Sequence, residues 1–383
     1  MNINFHYFAV KTLAVKAGLT EDEAQTAAFF SEFVDDMILN KVMEGEVYNK
    51  LSRVIVKGLN KGSLYKELAS KGMTGPAEEW VTSKAGSEEN YSFLIPSITA
   101  FTYTEALDED HQFESVIPFH FYPKTYRKDP TEEQRVDLRT SPAVQGSELF
   151  EEIERVVTSF AGLQDPTKRK IELVKFGVLL HIYADTYAHA GFSGSKGWEN
   201  NVKLISNESG GMAKFTSMFG DGVAYGHGLI YHLPDLCNAR YSYKMKTRSG
   251  EFDGDIIERN NKEYFKPCAE QIYKWCYKMK HHMMPEDRAA RDCANQVMEI
   301  AAKVPEEYDE LSKFKNLAAI WNHPESAYRD IIYKYEIQET LGIKKTSEKT
   351  KDKKPVYEIE DPELMLAFTK ATYDIRVKVM GKY

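Results

Sequence analysis

Three residues in one stretch, FGVLLHIYADTYAHAGFSG over residues 176–194, have the types and the spacing to do chemistry: His181, Asp185 and His189. Each stands four positions from the next, which on an α-helix stacks them along one stripe, drifting about 40° per step. Imidazole nitrogen and carboxylate oxygen are the donors that a zinc-type cation takes. The residues before them, Val174, Phe176, Val178, Leu179 and Leu180, are apolar, so the helix is expected to be largely buried. Polar groups on a buried helix are costly unless something satisfies them. A metal ion would do so. A hydrogen-bonded His–Asp pair in the core, with a third His nearer the surface, would do so as well.

Other candidate ligands are spread along the chain. His6 opens a first amphipathic stretch, Phe5–Ala17. A second helix is expected from about Glu21 to Asn40, with Thr20 as N-cap and Glu23 completing a capping box. Near its end come Asp35 and Asp36, where a helix terminus disfavours negative charge. His120 lies in an aromatic frame between two prolines, VIPFHFYP. His227 is flanked by Gly226 and Gly228 in DGVAYGHGLIYHLPDL, where His232 and Asp235 follow. Glycine there permits close approach to a ligand. His111 in DEDHQ is expected to be exposed, and His281 and His282 to complement a helix end.

The elements that must carry these residues read as mostly helical. Helices are expected over 147–160, 166–189, 258–303, 305–338 and 361–380, with few strand signals and no internal repeat. Residues 96–123 look extended or irregular, and 124–147 a charged surface loop. The expected organisation is a helical metal-binding domain over 1–343, with insertions at about 41–95 and 124–147. A basic, solvated linker at 344–355 and a C-terminal helix at 356–383 would follow.

Composition narrows the function classes. A chain of 383 residues with 42% hydrophobic content is long enough for one large domain with insertions or for two domains. A net charge of −8 argues against a general nucleic-acid binder. The four cysteines form no CxxC pair and are expected to be buried free thiols. Without a signal-peptide pattern or a long apolar run, no transmembrane helix is expected, and the expected compartment is the cytoplasm. No HExxH, no ExxH pair and no adjacent His-Asp dipeptide occurs, which speaks against zincin, di-iron and HD-type readings.

Taken in order, His6, Asp35, His120, His181, Asp185, His189, then His227 or His232 with Asp235, form a set that resembles the zinc-dependent phospholipase C and S1/P1 nuclease superfamily. LLHIYAD is similar to that family's LHYxGD helix and PFHFYP to its HFYDP segment. The resemblance covers roughly residues 1–240, as short motifs. It implies an all-α, multi-helix fold with irregular insertions and two or three zinc ions, with other divalent metals an alternative. His120, His181 and Asp35 would hold one ion, and Asp185 would bridge to a second shared with His6. His189, with His227 or His232 and Asp235, would hold the third. The family's first residue can also chelate, which directs attention to Met1.

Two spacings depart from the family. His189 follows Asp185 by four residues where six is usual, and His232 and Asp235 are three apart rather than four. The implied activity is hydrolysis of phosphoesters, with small or lipid phosphodiesters as substrates and no long nucleic acid as partner. Asp35 or Asp36, whichever does not ligate, would be the general base. Tyr122, Tyr183 and Tyr187 would be donors to substrate. The alternatives are a non-catalytic helical scaffold with a structural metal site and a nuclease of the S1/P1 type.

Overall fold

The computed structural model describes residues 1–36, 53–57, 74–76, 90–94, 116–124, 130–208, 225–304, 320–321, 344–349, 355–358 and 362–380. The chain opens with a π-helical segment, Asn4–Ala9, running directly into α1, Val10–Lys16. After a turn at Gly18, α2 spans Glu21–Asp36. The capping box closes as expected: Thr20 N–H donates to Glu23 Oε2 at 3.0 Å and Glu23 N–H to Thr20 Oγ1 at 3.3 Å. Strands β1 (Arg53–Lys57), β2 (Thr74–Pro76) and β3 (Asn90–Leu94) follow, then a single helical turn, α3, Ile117–His120. Next come α4, Glu148–Gly162, and α5, Pro166–Ala188. Strands β4 (Val202–Asn207), β5 (Arg240–Met245) and β6 (Ile257–Asn260) lead into α6, Asn261–His281, and α7, Asp287–Ala301. The chain closes with β7 (Lys344–Lys349), β8 (Pro355–Glu358) and α8, Pro362–Met380.

Helix α5 is the axis of the molecule. It starts where local chemistry dictates: Asp165 accepts from Thr167 N–H and Lys168 N–H at 2.9 and 3.1 Å, with Pro166 at the first helical position. Every residue from Phe176 to Ala188 is buried, the signature of a helix surrounded on all sides. Helices α2, α4, α6 and α8 pack around it.

The register of α2 against α5 is set by one glycine. A Cβ on Gly177 would stand 2.4 Å from the carbonyl oxygen of Ala27 and 3.0 Å from Phe30 Cβ, so only glycine lets the helices approach this closely. One turn further along each helix, His181 Nδ1 donates to the Ser31 carbonyl at 2.7 Å. One turn further again, Asp35 and Asp185 stand at the same level. The two helices therefore run in the same direction, in step.

The fold is predominantly helical, as the sequence implied, but it is not all-α. Strands β4, β5 and β6 form a three-stranded antiparallel sheet. A second sheet has the order β2-β3-β1-β8-β7, with β1 and β8 parallel and the other pairs antiparallel. This corrects the reading of 344–355 as a solvated linker. Its lysine-rich first half is an edge strand, a position that tolerates lysine and needs no apolar alternation. Nor is the last helix a separate unit: Phe368 meets Phe30 and Phe33 of α2 at ring separations of 5.8 and 4.9 Å. The segment 124–147 is more than a surface loop. Arg135 and Arg139 reach across to Glu199, and Thr140 exchanges backbone hydrogen bonds with Gly191 and Phe192. His120, expected in an extended segment, ends a helical turn instead.

The four cysteines are free and buried, as expected. Among the described residues no helix is long and apolar enough to cross a membrane. The expectations for His111 and for most of 305–338 lie outside the described residues.

Candidate metal centre

Six elements converge on one buried point. The π-helical segment brings His6, the end of α2 brings Asp35, and α3 brings His120. Helix α5 brings His181 and Asp185, and its C-cap is His189. The loop after the first strand of the three-stranded sheet brings His227, and a 3-10 turn, Leu233–Asp235, brings Asp235. The side chains fall into three compact groups: His6, His181 and Asp185; Asp35, His120 and His181; His189, His227 and Asp235. Within each, one donor atom per residue lies within 4.8 Å of the others.

Asp185 ties the groups together. Its Oδ1 lies 3.1 Å from His6 Nε2 and also contacts the Met1 amine. Its Oδ2 lies 3.2 Å from His120 Nδ1, 3.3 Å from His181 Nε2 and 3.7 Å from His189 Nδ1. Asp35 Oδ1 faces His120 Nδ1 at 3.6 Å and His181 Nε2 at 3.8 Å. Asp235 faces His189 Nε2 at 2.9 Å through Oδ1 and His227 Nε2 at 3.5 Å through Oδ2. The rings of His6 and His181 stack at 3.9 Å. Donors on a tetrahedral zinc, with bonds of about 2.0–2.1 Å, stand about 3.3 Å apart. The observed spacings bracket that value.

The hydrogen-bond chemistry tests whether a cation fits. His181, His189 and His227 each use Nδ1 to donate to a backbone carbonyl: Ser31 O at 2.7 Å, His120 O, and Tyr231 O at 2.6 Å. A neutral imidazole has a single N–H. In the neutral form each Nε2 is a lone pair, and in all three rings it is aimed at a carboxylate oxygen or another ring nitrogen. Acceptor facing acceptor repels unless a cation stands between. Metal-bound histidines characteristically donate their other N–H to a carbonyl, as these three do. In His6 and His120 the outward nitrogens, His6 Nδ1 and His120 Nε2, are buried without a hydrogen-bond partner, while their other nitrogens face the carboxylates. The donor set fits a divalent cation cluster.

The electrostatics divide the histidines: burial opposes the charged form of His181, but Asp185 and Asp35 outweigh it and push this imidazole up. Burial, with His181 and the Met1 amine beside it, holds His6 down to about 3. Burial also pulls His227 down to about 4, against the opposing pull of Asp235. Both are thus neutral lone-pair donors near pH 7. Burial works against the ionised form of all three carboxylates, but it is outweighed at Asp185 by the Met1 amine and then His189, His181 and His6, at Asp235 by His227 and then the Met1 amine, and at Asp35 by His181, His120 and His6, so all three lie below the usual carboxylate range. The Met1 amine is opposed by burial, yet Asp185, Asp235 and Asp35 push it up to about 11.

Local backbone features aim the third group. Gly226 adopts φ 52°, and a Cβ there would stand 2.7 Å from the ring of Phe121. That ring stacks on His189 at 4.4 Å and lies 5.9 Å from His227. Tyr231, a non-glycine residue at φ 52°, turns its carbonyl toward His227 Nδ1. Such a conformation costs about 1–3 kcal/mol and persists where the surroundings enforce it. The π-helix that carries His6 is the rare helical form most frequent at functional sites.

The structure thus brings together His6, Asp35, His120, His181, Asp185, His189, His227 and Asp235. Of the two candidate histidines near Asp235 it selects His227. His232 is 57% exposed and belongs to none of the three compact groups, although its Nδ1 lies 3.5 Å from Asp235 Oδ2, as far as His227 Nε2 does. The side chain of Asp36 lies outside the described residues. The three tyrosines face elsewhere. Tyr183 and Tyr187 bond each other through their hydroxyls at 3.2 Å and pack on Trp275 and Tyr264. They stand two and six positions from His181, about 200° and 240° around the helix, so the stripe that gathers the ligands turns them away. Tyr122 lines a separate cavity of about 450 Å3 with Thr186 and Lys378. What sequence reasoning missed is Ser31, whose carbonyl sets the tautomer of His181. A backbone acceptor carries no residue-type signal.

Fold and site together define a predominantly helical protein built around a buried His/Asp cluster suited to divalent cations. The chain belongs to a family of unknown function, DUF6765, whose model matches residues 1–383. No curated protein and no solved structure matches it.

Proposed function

We propose that the protein is a metal-dependent hydrolase of phosphoesters, a phosphodiesterase of phospholipase C type that uses two or three zinc-class ions. The observation that carries this reading is Asp185, whose two oxygens are shared among His6, His120, His181 and His189. A carboxylate buried among that many nitrogens is placed to bridge. His120, His181 and Asp35 would hold one ion, His6 and Asp185 a second beside the Met1 amine, and His189, His227 and Asp235 a third. When bound, such ions lower the pKa of a water and neutralise phosphoryl oxygens. The ordered set of motifs supports a phospholipase C/P1 nuclease-like arrangement of the helices.

The chain's own groups supply the rest. Asp35 is the most exposed of the three carboxylates, at 27% against 2% for Asp185 and 11% for Asp235. Water and substrate would therefore enter on its side. Asp35 or Asp36, whichever does not ligate, would orient a water there and accept its proton. Ser31, His120 and Tyr231 fix the ring orientations through their carbonyls, so the lone pairs need no reorganisation when substrate arrives. A purely structural metal site closes all its positions with protein ligands. The exposure of Asp35 favours an open site over that alternative.

The test is elemental analysis of protein purified without chelator, with hydrolysis of bis(p-nitrophenyl) phosphate as the second readout. Two to three ions per chain, and activity lost with His181→Ala, are expected. Less than about one equivalent, with no rise in melting temperature on adding zinc, would remove the proposal, since a ligand of the native state must stabilise it. Vigorous digestion of single-stranded DNA, lost in His181→Ala, would move the assignment to the S1/P1 nuclease branch.

A further inference from the structure

The third group, His189, His227 and Asp235, takes two of its ligands from the ends of helical structure: His189 from the C-cap of α5 and Asp235 from the 3-10 turn Leu233–Asp235. Helix ends leave carbonyls without intrahelical partners, so groups from elsewhere must hold them. One short junction, residues 259–261, where β6 runs into α6, meets both ends. Asn261 is fully buried, and its side-chain amide nitrogen donates to the carbonyls of Leu233 at 2.7 Å, Leu236 at 2.8 Å and Pro234 at 3.4 Å. These carbonyls lie on both sides of Asp235 in the chain. Only an N–H group can face three carbonyl oxygens, which fixes the orientation of the amide. The backbone N–H of Asn261 donates to the Ala239 carbonyl at 3.0 Å, beyond the same turn.

Arg259 is buried as well. Its Nη2 donates to the carbonyls of Tyr187 at 3.2 Å and Ala188 at 3.3 Å, the two residues of α5 that precede His189. A cationic donor there also complements the negative end of the helix dipole. The guanidinium carbon stands 3.9 Å from the centre of the Tyr264 ring, on α6, which holds the arm in place. Pairing of Arg240 with Asn260 and of Tyr241 with Arg259 fixes the junction against β5. Among the described residues, no side-chain hydrogen bond of Arg259 or Asn261 reaches the segments that carry His6, Asp35 or His120. The Asp35 side of the centre depends instead on the approach of α2 to α5 at Gly177 and on the Ser31 carbonyl.

We infer that Arg259 and Asn261 are positioning residues for the third cation site: Arg259 anchors the helix end that presents His189, and Asn261 anchors the turn that presents Asp235. This rests on the metal centre of the phosphoesterase reading and narrows its two or three ions to three. Groups that orient metal ligands from behind are worth about 10–100-fold in metal affinity.

Wild-type protein, Asn261→Leu, Arg259→Met and Arg259→Lys are compared by calorimetric titration with zinc and by zinc per chain after dialysis. Wild-type protein is expected to hold three ions. In Asn261→Leu and Arg259→Met one of the three is expected to bind about 10–100-fold more weakly, while the other two keep their wild-type affinity. Arg259→Lys, which keeps the charge and a donor, is expected to recover part of the loss. A merely structural role would lower the melting temperature without singling out one ion. Variants that keep all three ions at wild-type affinity, or that weaken all three alike, overturn the inference, and so does a wild-type protein that holds only two. If Asn261→Leu does not fold, the two Arg259 variants decide; failure of all three to fold assigns the junction to stability alone and overturns the inference. Hydrolysis of bis(p-nitrophenyl) phosphate separates the two readings. If one ion depends on the junction but wild-type protein hydrolyses no phosphoester, the clamp stands and the hydrolase reading falls. If hydrolysis occurs and every variant keeps three ions, the hydrolase stands and the clamp falls.

Discussion

Two buried polar centres lie within one segment of chain, and they are satisfied in opposite ways. Around Glu199 every acceptor meets a donor. Its carboxylate takes Arg135 Nε at 2.7 Å, Ser193 Oγ at 2.7 Å and Ser195 Oγ at 3.2 Å, and its carbonyl takes Arg139 at 2.7 Å. Asn200 alongside donates to the Ser193 and Ser195 carbonyls. Around Asp185 and Asp235, imidazole nitrogens crowd the carboxylate oxygens beside the Met1 amine. The first centre is complete with protein atoms alone and braces the chain after α5. The second is an arrangement of imidazole nitrogens and carboxylates around the Met1 amine that could hold metal ions. Satisfied burial marks structure, and unsatisfied burial of mutually repelling acceptors marks a place kept for something else.

The sharpest way to break this contrast is at Asp185. Asp185→Asn is expected to release at least two ions and to cut phosphodiesterase activity by about 10³-fold or more. His189→Ala, in contrast, should cost the third ion only. Metal counts per chain check this, and equal counts in the two variants would deny Asp185 its bridging place.

At the self-satisfied centre the expected loss is in stability and not in metal. Glu199→Gln leaves the guanidinium of Arg135 with a weaker partner in a buried setting, a change worth about 3 kcal/mol. Urea unfolding should show that drop while zinc per chain holds at the wild-type value. Loss of zinc would mean that the two centres are not independent.

Gly177→Ala probes the helix register that feeds the second centre. The new methyl meets the Ala27 carbonyl, which should cost about 1–3 kcal/mol. It should also push Ser31 and Asp35 away from His181. The ion held by Asp35, His120 and His181 is expected to be lost first on titration with chelator.

The smallest effect belongs to a partly exposed polar group that serves as a reference. Burial tends to raise the Glu152 carboxyl, but hydrogen bonds and charge from Lys175 and Lys378 outweigh it and hold it down to about 2 against an ordinary 4.5. A carboxyl lowered in the folded state contributes stability above pH 4.5 that is lost as pH falls toward 2. Solvent screening limits this to less than about 1 kcal/mol. Urea midpoints of wild type and Glu152→Gln, measured at pH 6, pH 3 and pH 2, should differ most at pH 6, less at pH 3, and converge toward pH 2.

Local chemistry was legible where it was self-contained. The Thr20–Glu23 box, the Asp165–Pro166 start of α5 and the His181–Asp185–His189 stripe follow from spacing alone, and the structure places them within a residue. The same spacing rule, applied to Tyr183 and Tyr187, turns them from the ligand face. The sheets were not legible. Strand β1 pairs with β8 some 300 residues away, and a lysine-rich edge strand has no apolar alternation to announce it. Strands 53–57 and 355–358 acquire their identity from each other.

By itself the sequence determined which groups exist, in what order, and on which helix faces they fall, because helical periodicity is a property of the local backbone. It left His227 and His232 as equals beside Asp235, and it could not tell that Asp185 would be met by two other segments, the N-terminus with Met1 and His6 and the α3 turn with His120. Those decisions belong to the tertiary structure. The approach of α2 to α5 at Gly177, the wedge of Phe121 against Gly226 and the turned carbonyl of Tyr231 are contacts between distant parts of the chain. No local preference encodes a distance between two helices. Only packing fixes which nitrogens and carboxylates face one another, and so where a cation could be held.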